Sequence, residues 1–167
     1  PPALMDWLNT LSPLDCALGM VAYWLALGLA GLLLQKSPRL LANLVFPAGA
    51  VGALLLAIVA AGALGDAPAA LTLPLGLPDL PFHLHLDALS AFFLLLLGGA
   101  VFGISIYGAG YFRSMAGGTL GLLCLEYHVF IASMTLVLLA DDAYLFMVAW
   151  EAMALSSYFL VTTDHRI

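Results

Sequence analysis

The stretch Ala143–Thr163 reads AYLFMVAWEAMALSSYFLVTT, and it decides how the rest of the chain is understood. Its 21 residues carry one charge, at Glu151. At about 1.5 Å per residue, such a helix crosses a hydrocarbon core about 30 Å thick, and Glu151 lies about 12 Å from its start. A carboxylate at that depth costs about 2.5–3.5 kcal/mol on insertion scales, and such carboxylates commonly serve proton relays or ion pathways. Glu151 is therefore the first candidate functional residue; the structural alternative is a protonated side chain that only hydrogen-bonds a neighbouring helix.

The composition of the 167-residue chain is that of an integral membrane protein. Hydrophobic residues make up 64% of the chain and charged residues 8%, whereas soluble domains are about 25% charged. The lipid bilayer is therefore an expected partner. The chain has four Lys and Arg residues in total, too few for a basic patch, so nucleic acid is excluded as a partner.

Five segments are long and apolar enough to cross a bilayer. They are predicted at Leu14–Leu34, Leu40–Leu64, Asp87–Phe112, Gly121–Ala140 and Ala143–Thr163. Residues 70–86 contain two alternating stretches around a turn region at Gly76–Pro81, which predicts a β-hairpin outside the lipid. The predicted fold is an all-α membrane protein with five transmembrane helices and a small external hairpin between the second and third, forming one domain over residues 1–167.

Small residues recur at four-residue spacing in three of the predicted helices. This spacing lets helix backbones approach closely in lipid, so we interpret these residues as packing faces and not as functional sites. They are Ala22, Ala26 and Ala30 in the first helix, Gly49, Ala53, Ala57 and Ala61 in the second, and Gly99 and Gly103 in the third.

All four cations fall on one side of the predicted membrane topology. Lys36 and Arg39 lie between the first two helices, Arg113 follows the third, and Arg166 follows the fifth. The positive-inside rule assigns this side to the cytoplasm. The N-terminus, the hairpin and the connection between the fourth and fifth helices are then expected outside.

Three further residues in the predicted spans carry groups that can hold or pass a proton. Proton transfer through a membrane needs such groups, and a low-dielectric surrounding favours the protonated carboxyl that reversible protonation requires. Glu126 is interpreted as a snorkelling or inlet carboxylate near the cytoplasmic end of the fourth helix. His128 is equally a relay member or a hydrogen-bonded packing residue. Tyr158 shares the side of Glu151 and is the residue there that can hydrogen-bond.

The sequence predicts neither a metal site nor a cofactor. His83, His85 and Asp87 could share one strand face, but a complete metal site needs three or four ligands and no others are evident nearby. Asp87 is more simply the N-cap of the third helix. A haem held by two histidines would need a second deep histidine beside His128.

Several motifs, in order along the chain, resemble one family. They are HLDALSAFF at 85–93, SIYGAGYF at 105–112, FIASM at 130–134, LADD at 139–142 and WEAMALSSYFLV at 150–161. Together they resemble the antiporter-like subunits of respiratory complex I, Mrp-type cation antiporters and the membrane subunits of energy-converting hydrogenases. In detail they are most similar to the large membrane subunit of complexes of the formate-hydrogenlyase type.

The resemblance implies a proton-translocating module of inverted five-helix repeats, each with a broken helix, that holds no redox cofactor. In that family the glutamate of the WE motif pairs with a lysine on a later helix, and Glu151 matches this glutamate. Other membrane subunits and transported protons are implied as partners, and the bacterial inner membrane as the location. The family's lysines and remaining helices would lie beyond Ile167, so the chain is expected to be the N-terminal part of a larger subunit.

The leading hypothesis is a proton-translocating subunit of a redox-driven complex (NADH:quinone oxidoreductase or hydrogenase type) or of a cation/proton antiporter, itself without catalytic activity. One alternative is a structural membrane anchor without transport, and a hydrophobic residue in place of Glu151 would have favoured it. A second is a quinone-reactive subunit, which needs a polar pocket near the interface and for which Glu151 is too deep. Protons are favoured over sodium because hard cations need several oxygen ligands and the carboxylates here are isolated.

Overall fold

Five long helices form the body of the protein. The computed structural model describes residues 11–114 and 119–162. The helices are α1 (Pro13–Leu33), α2 (Pro38–Ala63), α3 (Ala88–Tyr111), α4 (Thr119–Leu139) and α5 (Ala143–Thr162). Each is long and apolar enough to cross a membrane, so the predicted class and the five spans are confirmed. The predicted ends agree within two residues, and the predicted end at Thr163 lies outside the described residues.

Polar caps set where two of the helices begin. The hydroxyl of Ser12 accepts a hydrogen bond from the backbone N–H of Asp15, whose carboxylate accepts one from the backbone N–H of Ser12, a capping box at the start of α1. Asp87 accepts from the backbone N–H of Ser90 at 2.8 Å, which confirms it as the N-cap of α3. That bond holds the pKa of Asp87 below its usual value.

The two strands of the external hairpin are longer than the sequence predicted. Strand β1 (Ala69–Leu77) pairs antiparallel with β2 (Leu80–Leu86). The predicted turn at Gly76–Pro81 was too wide, because the strands continue to Leu77 and Leu80. Gly76 has a φ of +109°, a conformation that favours glycine, and the pairing register shifts there while the strand continues.

The hairpin is fastened to the start of α5. Leu84 of β2 pairs with Ala140, and the backbone N–H of Asp141 donates to the carbonyl of His83 at 2.9 Å. The chain between α4 and α5 thus meets the free edge of β2 at a single isolated β-bridge. Leu84 and Leu86 are buried and join the hydrophobic core between the helices. We call this end of the bundle the hairpin end.

The helices pack unequally. The most extensive contacts join α2 to α3, α1 to α4 and α4 to α5, while α1 also contacts α2. Helix α5 therefore lies at the edge of the bundle and is held mainly by α4. Lys36, Arg39 and Arg113 all lie at the end opposite the hairpin, which we call the cationic end. The fourth cation, Arg166, lies outside the described residues.

The predicted packing face is correct for two of the four residues named in α2 and wrong for α1. In α2, Gly49 and Ala53 are buried. In α1, the close approach to α4 is made by Gly28 and Gly31, since ideal Cβ atoms there would lie 3.2 Å from Leu125 and 2.5 Å from Cys124. The predicted residues that are instead exposed are Ala22, Ala26 and Ala61, with Ala30 and Ala57 half-buried.

The packing residue of α3 was misplaced by one position. Gly98 lies against α2, and an ideal Cβ there would come within 2.8 Å of the carbonyl oxygen of Ala53. Gly99 and Gly103 are exposed, with open space where their Cβ atoms would be. Neighbouring glycines point about 100° apart on a helix, so one of two adjacent glycines contacts the neighbouring helix while the other faces outward.

Candidate functional site: an intramembrane carboxylate and a buried histidine

Glu151 lies near the middle of α5, on the face turned away from the bundle. It is eight residues after Ala143 and eleven before Thr162, about 12 Å and 16 Å from the two helix ends. Tyr158, predicted to share its side, is 62% exposed, and Met147 on the same side is 63% exposed. Val148, Ala154 and Leu155, which lie three or four residues from Glu151, are exposed as well. The opposite side of α5, with buried Ala149 and Ser156, contacts α4.

The described residues offer Glu151 no counter-charge. Lys36, Arg39 and Arg113, the cations in the described part of the chain, all lie at helix ends and not at the mid-depth of α5. A charged carboxylate in a low-dielectric surrounding is costly unless it is paired, so the group there is either protonated or matched by a group outside the described residues.

The second candidate, His128 of α4, is fully buried. Its Nδ1 lies 2.7 Å from the carbonyl oxygen of Cys124, so Nδ1 carries the hydrogen and donates. In the neutral ring Nε2 is then the unprotonated acceptor, and it has no hydrogen-bond partner among the described residues. Nε2 lies against the backbone of Gly49, where an ideal Cβ would come within 2.8 Å of it.

Aromatic rings of α2 and α4 enclose this histidine. The ring centroids of Phe46 and Tyr127 lie 6.1 Å and 5.3 Å from that of His128. The hydroxyl groups of Tyr127 and Ser105 are 2.8 Å apart and hydrogen-bonded. Phe46 follows a π-helical turn at Leu41–Val45, which changes the helical register just ahead of the residues that contact His128.

Glu126 lies in a groove between α4 and α5. The groove has a volume of about 460 Å³ and is also lined by Leu155 and Ser156. Glu126 is 8% exposed, so this residue is largely buried in the groove. Ser156 is five residues, or about 7.5 Å, from Glu151 toward the cationic end. Glu126 and His128, two residues apart on α4, face different directions.

The site therefore consists of two separate parts. His128 faces α1 and α2, whereas Glu151 and Tyr158 face away from the bundle. Glu126 lies nearer to Glu151, on the α5 side of α4. Within residues 11–114 and 119–162, no group of three His, Cys, Asp or Glu side chains is placed to hold a metal ion.

Sequence reasoning missed Asp142, which joins the hairpin to α5. One carboxylate oxygen accepts from the backbone N–H of Leu145 and the other from that of His83, both at 2.7 Å. These two hydrogen bonds, that of Leu145 first, hold the pKa of Asp142 below its usual value. An aspartate directly before a predicted helix is an N-cap signal, so the sequence contained the first half of this role.

Comparison with known proteins shows homologous membrane subunits. Hydrogenase-4 component B of Escherichia coli (strain K12) is 40% identical over 78 residues, which are 47% of this chain and 12% of that protein. NADH-quinone oxidoreductase subunit L of Mycobacterium tuberculosis (strain ATCC 25618 / H37Rv) is 37% identical over 94 residues, 53% of this chain and 14% of that protein. The homologues confirm the resemblance to antiporter-like membrane subunits.

The similarity is partial. An uncharacterised protein of the same Mycobacterium tuberculosis strain is 35% identical over 89 residues, again 53% of this chain and 14% of the relative. No family model matches the chain. The matched stretches are thus a small part of each of these relatives. Together with the five apolar helices, they support an integral, multi-pass membrane protein related to subunits of hydrogenase and NADH-quinone oxidoreductase complexes.

Proposed function

We propose that this chain is the N-terminal part of a proton-translocating subunit of a membrane-bound redox-driven complex, with Glu151 as its intramembrane proton-relay carboxylate. The observation that carries the proposal is the position of Glu151, near mid-depth on the outward face of α5. When a carboxyl group at that position releases its proton, it leaves one negative charge in a low-dielectric surrounding. A movable cationic partner can stabilise that charge. The proposed location is a bacterial inner membrane with the N-terminus and hairpin outside.

The outward direction of Glu151 supports a partner from outside the described residues. The exposed side chains of Met147, Val148, Leu155 and Tyr158 form an uncovered surface around it. The relatives are several times longer than this chain. A lysine on a further helix of such a longer subunit, or on another membrane subunit of the complex, would stabilise the ionised carboxylate when it is close and favour protonation when it withdraws.

Glu126, His128 and Tyr158 are the proposed secondary members of the proton pathway. The groove that holds Glu126 runs beside Leu155 and Ser156 and supports an access route to Glu151 from the cationic end. Tyr158 shares the outward face with Glu151, about 10 Å away along the helix. His128 contributes its buried Nε2, an acceptor that has no hydrogen-bond partner among the described residues.

The test is proton pumping by the complete complex carrying Glu151→Gln, in sealed vesicles, with redox turnover measured alongside. We expect pumping to be lost while the complex still assembles, because glutamine keeps the shape of the side chain but cannot be ionised. Asp79→Asn is the matched control, since it also removes one carboxylate, from an exposed position at the hairpin tip, and should pump as the wild type does.

Normal pumping by the Glu151→Gln complex would contradict the proposal. The segment would then be structural, as in the membrane-anchor hypothesis. Loss of assembly in Glu151→Gln would also favour the structural hypothesis, in which the protonated carboxyl serves only to bond a neighbouring helix.

A further inference from the structure

An apolar groove lies between α2 and α3, on a side of the bundle that the proton pathway does not use. Its volume is about 460 Å³. Buried Ala50 and Ala109 line it, together with the exposed side chains of Val51 and Ile106. The groove is therefore a furrow with small residues at its base and branched apolar side chains at its edges.

A single charged side chain, that of Arg113, lines the groove, and it lies at the cationic end. Arg113 is exposed and follows the last turn of α3. Within the described part of the chain its guanidinium takes part in no ion pair. Among the described residues, no carboxylate lines the groove. An apolar furrow that ends at an unpaired guanidinium suits a ligand with an apolar tail and an anionic head.

The length of the groove fits one leaflet of a bilayer. From Phe102 to Arg113 the groove follows eleven residues of α3 and the turn after it, about 16 Å. Half of a hydrocarbon core is about 15 Å thick. Arg113 then lies at headgroup depth when Phe102 lies near the bilayer midplane. The guanidinium presents several N–H donors in a plane, which suits a phosphate oxygen pair better than a zwitterion whose own ammonium competes for it.

We propose that this groove binds an anionic phospholipid, with one acyl chain along Val51, Ile106 and Phe102 and the phosphate on Arg113. The site is independent of the proposed proton pathway. Another helix of a longer subunit is the competing occupant of the groove. An anionic lipid supplies both a charge that matches Arg113 and an apolar tail that fits the groove.

The test is lipid retention by the intact complex after exchange into nanodiscs that contain phosphatidylglycerol and phosphatidylcholine in equal amounts. Native mass spectrometry of the released complex counts each lipid. We expect the wild type to retain phosphatidylglycerol, and Arg113→Gln to reduce its retention about tenfold. Arg39→Gln is the matched control, because Arg39 is exposed at the same end and does not line the groove. Gly110→Leu should also reduce retention while leaving the charge unchanged. Gly110 lines the groove and its Cβ would meet nothing within 4 Å, so the leucine side chain takes up space that the acyl chain would occupy.

Equal retention of the two lipids by the wild type would overturn the proposal. So would an equal loss in Arg113→Gln and Arg39→Gln, which would indicate diffuse attraction to the cationic end. A photoreactive amino acid in place of Ile106 identifies the occupant directly. Cross-linking to lipid supports the proposal, and cross-linking to a protein segment overturns it.

Discussion

Replacing Gly49 by alanine should destabilise the bundle, because the added methyl group meets the imidazole of His128. An ideal Cβ on Gly49 would lie 2.8 Å from Nε2, well inside van der Waals contact. The ring has little freedom to withdraw, since Nδ1 is held by the carbonyl of Cys124 at 2.7 Å and Phe46 packs beside the ring. Overpacking a core costs about 1–3 kcal/mol, and the helix-propensity gain of alanine over glycine offsets up to about 1 kcal/mol. We expect a net loss of about 1–2 kcal/mol in the free energy of unfolding.

The assay is unfolding of the purified protein in mixed micelles by increasing SDS, followed by tryptophan fluorescence. Gly62→Ala is the control in the same helix, because its ideal Cβ meets nothing within 4 Å. It should leave stability unchanged or raise it. His128→Asn shortens the side chain that meets the methyl group, so Gly49→Ala should cost little in that background. Equal stability of the Gly49→Ala and Gly62→Ala variants, or the same loss with and without His128→Asn, would refute the reasoning.

Two further predictions concern single contacts. Gly98→Ala should cost about 1–3 kcal/mol in the same SDS titration, because its Cβ would lie 2.8 Å from the backbone oxygen of Ala53. Gly99→Ala should be tolerated, since nothing lies within 4 Å of its Cβ. Similar losses in the two variants would contradict the assignment of Gly98 as the residue that contacts α2. Asp142→Ala should cost about 0.5–2 kcal/mol and speed hydrogen exchange in β2, since it removes the cap of α5 and the bond to His83. The lowered pKa of Asp142 means that its contribution to stability is complete above its ordinary pKa and is lost as the pH falls through the folded value. The protection of the β2 amides, measured after correction for the intrinsic pH dependence of exchange, should therefore fall in acid. A pH response of the wild type equal to that of Asp142→Asn would contradict this.

The helices and their ends were predictable because lipid imposes strict conditions on a spanning segment. A run of about 20 apolar residues must be helical, since every backbone polar group has to be satisfied within the segment. Asp87 marks the start of α3 by its cap chemistry, so that end of the helix was predicted within one residue. The hairpin was predicted from its two alternating stretches. Its exact turn was not predicted, because Gly76 lies at a register shift within β1 and not in the turn.

The direction in which each residue faces was harder to predict. In a soluble helix, polar and apolar residues separate to two faces, but these helices are apolar all round, so hydropathy does not mark the buried side. The sequence does not show which of the adjacent Gly98 and Gly99 packs against a neighbouring helix. The structure shows that Gly98 contacts α2 and Gly99 does not. The depth of Glu151 followed from counting residues, whereas its outward direction required the position of α4.

The hairpin and the proposed proton site are connected through the start of α5. Helix α5 is held by α4 along its length and by Asp142 at its first turn, where the same carboxylate binds the backbone of His83. Glu151 lies nine residues after Asp142, about 13 Å deeper along the helix axis. The cap therefore fixes the depth of Glu151 relative to a hairpin whose Leu84 and Leu86 are buried in the core. A movable partner can act on the proposed relay carboxylate only if the carboxylate itself keeps its place. One rigid connection from a buried hairpin to a helix at the edge of the bundle holds α5 in position without enclosing Glu151 itself.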